Sequence, residues 1–356
     1  MPMPLGGLLA VPELLRPRIP VTGPPSGGDV LTVVDLDAGV GDPAAAAHAL
    51  AGATRATLGV ARRPWAPELQ PVVDALTLTV CPSDVVADGR SHVAVPDVDA
   101  AVGLLLGAVD RAPRASLALA NLLRVNARLL RDPAAVPDAL AAESLAYSML
   151  LAGPEFAAWR ASRPARPEPP TPDDAVLLDR EGDLLRITLN RPDRRNALGR
   201  GLRDALINAL DIVAADPDVR AELRGAGPSF SSGGDLDEFG TAVDAATAHV
   251  TRLARSAGLL VHRNRDRVTP YLHGACVGAG IEVPAFAATV VADPGAWFHL
   301  PELTLGMVPG AGGTVSVTGR IGRWRTAWMV LSGEHVTAAR GLAWGLVDRI
   351  EPRTGG

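Results

Sequence analysis

The strongest constraint on the fold is the stretch Arg163-Pro-Ala-Arg-Pro-Glu-Pro-Pro-Thr-Pro-Asp-Asp-Ala175, which holds five prolines. Proline fixes φ and removes a backbone donor, so neither a helix nor a central strand can run through such a segment. The chain therefore reads as two units joined by a stiff, extended linker over residues 164–175. The first unit spans 28–163 and the second 176–356, with a Pro/Gly-rich, irregular leader over 1–27. A total of 356 residues suits two domains of ordinary size. Apolar residues make up 47% of the chain, enough for a sizeable core and against global disorder despite 37 Gly and 31 Pro.

In the first unit, Val30-Leu-Thr-Val-Val-Asp-Leu36 reads as a buried strand, short and β-branched. Residues 56–61 and 76–80 give two more strands, and 43–50 an Ala-rich helix. Residues 97–162 look largely helical, with Ala101, Leu104, Leu105 and Val109, then Leu117, Leu119, Leu122 and Leu123, near helical spacing. In the second unit, Leu184-Leu-Arg-Ile-Thr-Leu189 alternates as a strand does. Residues 202–214 form an amphipathic helix that stops at Asp216-Pro217. Strands and helices then alternate to Ile350, which sets the class as α/β.

Composition excludes several chemistries. All 34 basic residues are Arg, against 39 acidic ones, for a net charge of −5. No basic excess is available to neutralise phosphates, so a nucleic-acid partner is not expected. Without Lys there is no Schiff-base lysine, phosphate-loop lysine or Ser-Lys dyad. Two cysteines, Cys81 and Cys276, make neither a disulfide framework nor a Cys-rich zinc site. The N-terminus lacks a signal-peptide pattern and no apolar run approaches 18 residues, so a cytoplasmic protein with no membrane partner is expected. His273 and His299 have no metal-ligand spacing between them, and no metal, nicotinamide, flavin or ATP site is visible.

Four stretches of the second unit carry chemistry: Asn190-Arg-Pro-Asp-Arg-Arg-Asn-Ala-Leu198, Ser231-Ser-Gly-Gly-Asp-Leu236, His273-Gly-Ala-Cys-Val-Gly-Ala-Gly-Ile-Glu282 and Leu300-Pro-Glu-Leu-Thr-Leu-Gly-Met-Val-Pro-Gly-Ala-Gly-Gly-Thr314. A Gly-rich turn alone is usually just a turn, and a Glu in the first turn of a helix is favoured by the dipole alone. Two such turns that open helices and face one point can form an oxyanion hole from unpaired amides. Losing one such donor costs about 3–4 kcal/mol of transition-state stabilisation. Glu282 and Glu302 sit in apolar neighbourhoods beside these turns, which makes them candidates for raised pKa and acid/base work. Arg191, Arg194, Arg195 and Arg200 read equally as a solvated face or as holders of a large anion.

In this order and at these separations the four stretches resemble the crotonase superfamily, the enoyl-CoA hydratases, isomerases and relatives. The resemblance covers about residues 176–352. It implies a crotonase-like core of ββα repeats in the C-terminal half, preceded by a smaller α/β plus helical domain. It implies an enoyl-CoA hydratase-like reaction on an acyl-CoA thioester, with coenzyme A as part of the substrate and no other cofactor. By position in the motifs, Gly234 and Ala279 would supply the two oxyanion amides, and Glu282 and Glu302 the carboxylates. CoA contacts would fall at Arg195, Asn196, Ala197, Ser232, Gly233, Asp235, Leu236 and Gly278. The family's habit implies a homo-oligomer, trimer or hexamer. Isomerisation, cofactor-free oxygenation of an aryl-acetyl-CoA, and acyl-CoA binding without turnover are the alternatives.

Two features depart from the family pattern. Glu222 falls in the middle of Val219–Gly225, normally an apolar strand, where a slip would flip side chains across the sheet. The family's closing helices would follow residue 350, and only six residues do. Residues 98–160 look similar to those helices, which predicts a degenerate duplication whose helical end packs onto the C-terminal core. An unrelated helical domain is the alternative.

Overall fold

The computed structural model describes residues 3–4, 12–18, 20, 23–38, 41–85, 89–163 and 171–353. Among them the strands form three sheets. The N-terminal half contains β1 (Met3–Pro4), β2 (Leu31–Asp35), β3 (Ala56–Val60), β4 (Leu78–Pro82) and β5 (Val93–Val95), in that order and all parallel. Parallel neighbours require crossovers, and α1 (Pro43–Ala51) and α2 (Gln70–Ala75) supply two of them. Asp42 starts α1 by accepting from the amides of Ala44 and Ala45, with Pro43 at the first helical position.

Parts of the stretch expected to be an irregular leader carry regular structure: β1, and a 3-10 turn at Pro12–Leu15. The Leu15 carbonyl accepts from the amides of Thr54 and Arg55 at 3.0 and 3.1 Å. Residues 1–2, 5–11, 19 and 21–22 of the leader and residues 164–170 of the linker lie outside the described residues.

Four helices follow: α3 (Val98–Arg111), α4 (Pro113–Leu129), α5 (Val136–Leu151) and α6 (Pro154–Ala161). Proline at the first helical position opens α4 and α6, and Asp97 caps α3 through Ala100 N at 2.9 Å.

The C-terminal half begins with the β6 (Val176–Glu181) and β7 (Leu184–Leu189) hairpin and continues through α7 (Arg200–Ala215) to β8 (Arg220–Gly225). Next come α8 (Ala245–Ala254), α9 (Ala257–Arg263), β9 (Val268–Leu272), β10 (Ala275–Val277) and the single turn α10 (Ala279–Glu282). β11 (Val291–Ala292), β12 (Trp297–His299), α11 (Gly313–Ser332), β13 (Val336–Thr337), α12 (Ala338–Trp344) and β14 (Arg349–Ile350) complete it. A six-stranded sheet in the order β14-β11-β9-β8-β7-β6 is parallel except at the hairpin, and β10-β12-β13 form the third sheet.

α7 buries Leu202, Leu206, Leu210 and Val213, three and four residues apart, against this sheet. The doubtful strand keeps its register. Ala221 and Leu223 of β8 point inward, while Glu222 faces outward and pairs with Arg224 at 3.0 Å and Arg186 at 3.7 Å. Alternation accommodates the acid without a slip.

The two halves share one core. Leu58 and Val80 of the first sheet, Leu105, Leu119 and Leu123 of α3 and α4, and Trp328 and Met329 of α11 belong to a single buried cluster. A smaller cluster of Val34, Leu50 and Val72 lies under α1 and α2. Arginines stitch the seam through carbonyls: Arg323 to Asp74, Arg90 to Arg320 (2.9 Å), Arg325 to Gly89 (2.7 Å). The helices of residues 98–161 thus pack onto the C-terminal core within one chain.

Candidate active site

Asn196 holds the first two turns together. It follows Arg195, and both sit in the left-handed region at φ 53° and 51°, a conformation that Asn tolerates. The Asn196 side chain is fully buried. Its amide donates to the carbonyls of Ala226, Ser229 and Phe230 at 2.9–3.0 Å, and its oxygen accepts from Arg191 N at 2.8 Å. Ser231 Oγ donates to Asn196 O at 2.8 Å and accepts from Gly233 N at 3.1 Å. Leu198 N then donates to Gly233 O at 2.7 Å. Arg194 clamps the end of the turn by donating to Asp235 and Asp237 at 2.9 Å.

The third turn lies against the second. Val277 N donates to Ser231 O at 3.0 Å and Gly278 N to His299 O at 2.8 Å. Gly278 has φ 49° and ψ −123°, which disfavours any side chain. A Cβ there would also stand 2.7 Å from Glu302 Oε1 and 3.7 Å from Glu282 Oε1, so both carboxylates converge on this glycine. A Cβ on Gly233 would stand 3.5 Å from Ala279 N, so the turns carrying Gly234 and Ala279 touch. The amides of Gly234 and Ala279 donate to no other described residue.

The two glutamates differ in their support. Glu282 is 2% exposed, and its Oε2 accepts from the amides of Ala311 and Gly313 at 2.8 Å each. Burial pushes its carboxyl up to about 7, opposed by those amide bonds. Glu302 is 9% exposed and its Oε2 has no partner among the described residues. Burial, then the neighbouring Glu282 charge, hold it well above the usual carboxylate range.

The structure brings Gly233, Gly234, Gly278, Ala279, Glu282 and Glu302 together. Arg195 and Leu236 are exposed at the edge, Ser232 is half-buried, and Ala197 is buried. Asn196 and Asp235 have their side chains engaged within the protein, and Arg194 is committed to its two aspartates. Cys276 is buried, with its thiol pushed up by burial, and His273 bonds Gly227 O at 3.0 Å.

Sequence reasoning missed the contribution of the N-terminal half. Glu143 of α5 is 2% exposed and bonds the turn at residues 312–314, Asn126 of α4 bonds Thr314, and the Tyr147 ring packs on Gly310. The available signal was an acid inside Leu140-Ala-Ala-Glu-Ser-Leu145, an apolar helical run with no reason to hold a charge.

Comparison with known proteins follows the same geography. Residues 179–355 match the family model described as enoyl-CoA hydratase/isomerase. The 2,3-dehydroadipyl-CoA hydratase of Escherichia coli is 37% identical over 50% of this chain and 69% of its own length. The mevalonyl-coenzyme A hydratase of Beauveria bassiana is 34% identical over 53% of this chain and 70% of its own. Among solved structures, an enoyl-CoA hydratase from Thermoplasma volcanium matches at 28% identity and a TM-score of 0.46, covering 50% of this chain and 72% of that one. No helix among the described residues is long and apolar enough to cross a membrane. On the combined sequence match and motif set, this chain belongs to the enoyl-CoA hydratase/isomerase family of the crotonase superfamily.

Proposed function

We propose that the protein adds water to, or removes it from, a 2-enoyl-CoA thioester, using the amides of Gly234 and Ala279 and the carboxylates of Glu282 and Glu302. The observation that carries this reading is the convergence of the two Oε1 atoms on Gly278, with Glu302 Oε2 buried and unpartnered beside two unused amides.

The roles divide by environment. Two carboxylates this close do not both ionise readily, so the pair holds one proton between them. Glu282, tied to two amides, is the better anion. It takes a proton from water as the oxygen bonds to C3. The electron pair of the double bond moves onto the thioester, and the enolate oxygen accepts from Gly234 N and Ala279 N. Glu302, the more strongly protonated of the two, delivers its proton to Cα. Dehydration runs the same steps in reverse. Coenzyme A serves only as part of the substrate. The relatives' names, each a CoA-thioester hydratase, support this class.

The test is a panel of 2-enoyl-CoA thioesters, followed by loss of the conjugated enoyl absorbance, with E282Q and E302Q alongside. Turnover is expected, with kcat lower by about 100-fold or more in each variant and KM little changed. Binding of every thioester with turnover of none would overturn the reading in favour of a binding subunit. Oxygen uptake on an aryl-acetyl-CoA would overturn it in favour of oxygenation.

A further inference from the structure

The turn over residues 309–314 is held by two carboxylates from opposite halves of the chain. Glu282 Oε2 takes the amides of Ala311 and Gly313. Glu143 takes the alternate ones, Gly312 N at Oε1 (2.7 Å) and Thr314 N at Oε2 (2.9 Å). Thr314 Oγ1 also donates to Glu143 Oε2 at 2.6 Å, and itself accepts from Asn126 Nδ2 at 2.9 Å. Four successive amides at the start of α11, whose helical backbone is broken by a kink at Gly322, thus go alternately to two acids. These are donors that the helix cannot satisfy itself, at the end where its dipole favours negative charge.

We infer that Glu143 is a positioning residue for Glu282: it fixes the turn from the N-terminal half, so that Oε2 of Glu282 stays anchored and Oε1 alone faces the reacting space. This rests on the hydratase reading above. Three donors converge on Glu143 and hold both of its oxygens in place, while burial and the neighbouring Glu282 charge push its carboxyl up to about 8. A glutamine would turn its own N–H groups toward one of those donors. The groups facing the glutamate pair are Glu143 and Tyr147 from α5 and, from α8, Arg252, whose guanidinium lies 4.4 Å from the Tyr147 ring centroid. The Glu143 charge adds to that of Glu282 in holding up Glu302, so its removal lowers the pH at which Glu302 titrates.

The experiment compares wild type, E143Q and T314V by kcat and KM on a 2-butenoyl-CoA probe, and by carbon-13 NMR titration of the buried glutamate carboxyls. E143Q is expected to lower kcat by about tenfold to hundredfold with KM nearly constant, and to move the Glu302 midpoint to lower pH. T314V, which loses one bond to Glu143, should shift kcat in the same direction by less. A folded E143Q with wild-type kcat and titration, or with only a lower melting temperature, overturns the inference. If E143Q does not fold, T314V decides: unchanged kcat and titration overturn it. Should the wild type hydrate no thioester, the hydratase reading falls. The carboxyl titration then decides the positioning alone, an unchanged Glu302 midpoint overturning it.

Discussion

At the scale of single residues, Glu143, Glu282 and Glu302 load one end of the core with acid. Each is raised above its unfolded value by burial. A group that binds its proton more tightly when folded supports the fold fully below its unfolded value, near 4.5. It loses that support as pH rises through the folded value, about 7 for Glu282. The melting temperature should therefore fall between about pH 5 and pH 8, and fall less in E282Q. An identical pH dependence in wild type and E282Q would show that Glu282 is not strained by ionisation. Gly234, Ala279, Glu282 and Glu302 were legible because each lies in or beside a Gly-rich turn whose spacing is local. Glu143 was not legible as part of the site, because its partner Thr314 lies 171 residues away and no local pattern encodes the meeting.

At the scale of elements, β7 and α7 were legible from periodicity, with one face buried and the other more exposed, and β2, β3 and β4 as short β-branched runs largely buried on both faces. Periodicity misjudged the leader, because β1 is only two residues long and holds its place by pairing with β2 rather than by its own pattern. The Glu222 strand shows the reverse. A charge in a strand looks disruptive in one dimension and is harmless once the outward face supplies Arg186 and Arg224. Helix α4 joins the halves. Leu119 and Leu123 are at most 1% exposed, and this helix packs along α11. Leu123→Ala should lower stability by about 2–5 kcal/mol. Because the core is continuous, urea unfolding should keep a single transition by both far-UV circular dichroism and tryptophan fluorescence. Two separated transitions would mean that the halves unfold independently.

At the scale of the whole molecule, the Pro-rich stretch divides the sequence but not the core. Residues 1–163 and 171–356 produced as separate chains should each expose apolar surface: the second would lose the cover of α4 and α5 over α11 and the turn at 309–314. Hydratase activity is expected on mixing the two and absent from the second alone. Activity of the isolated C-terminal piece equal to the full chain would show that the first half is dispensable. The seam also sets a timetable. At roughly 5–20 residues per second, the 171 residues between Glu143 and Thr314 take about 9 to 34 s to synthesise. Through that interval the nascent helix must keep its acid hydrated, and only the last part of the message supplies the amides that let it go under cover.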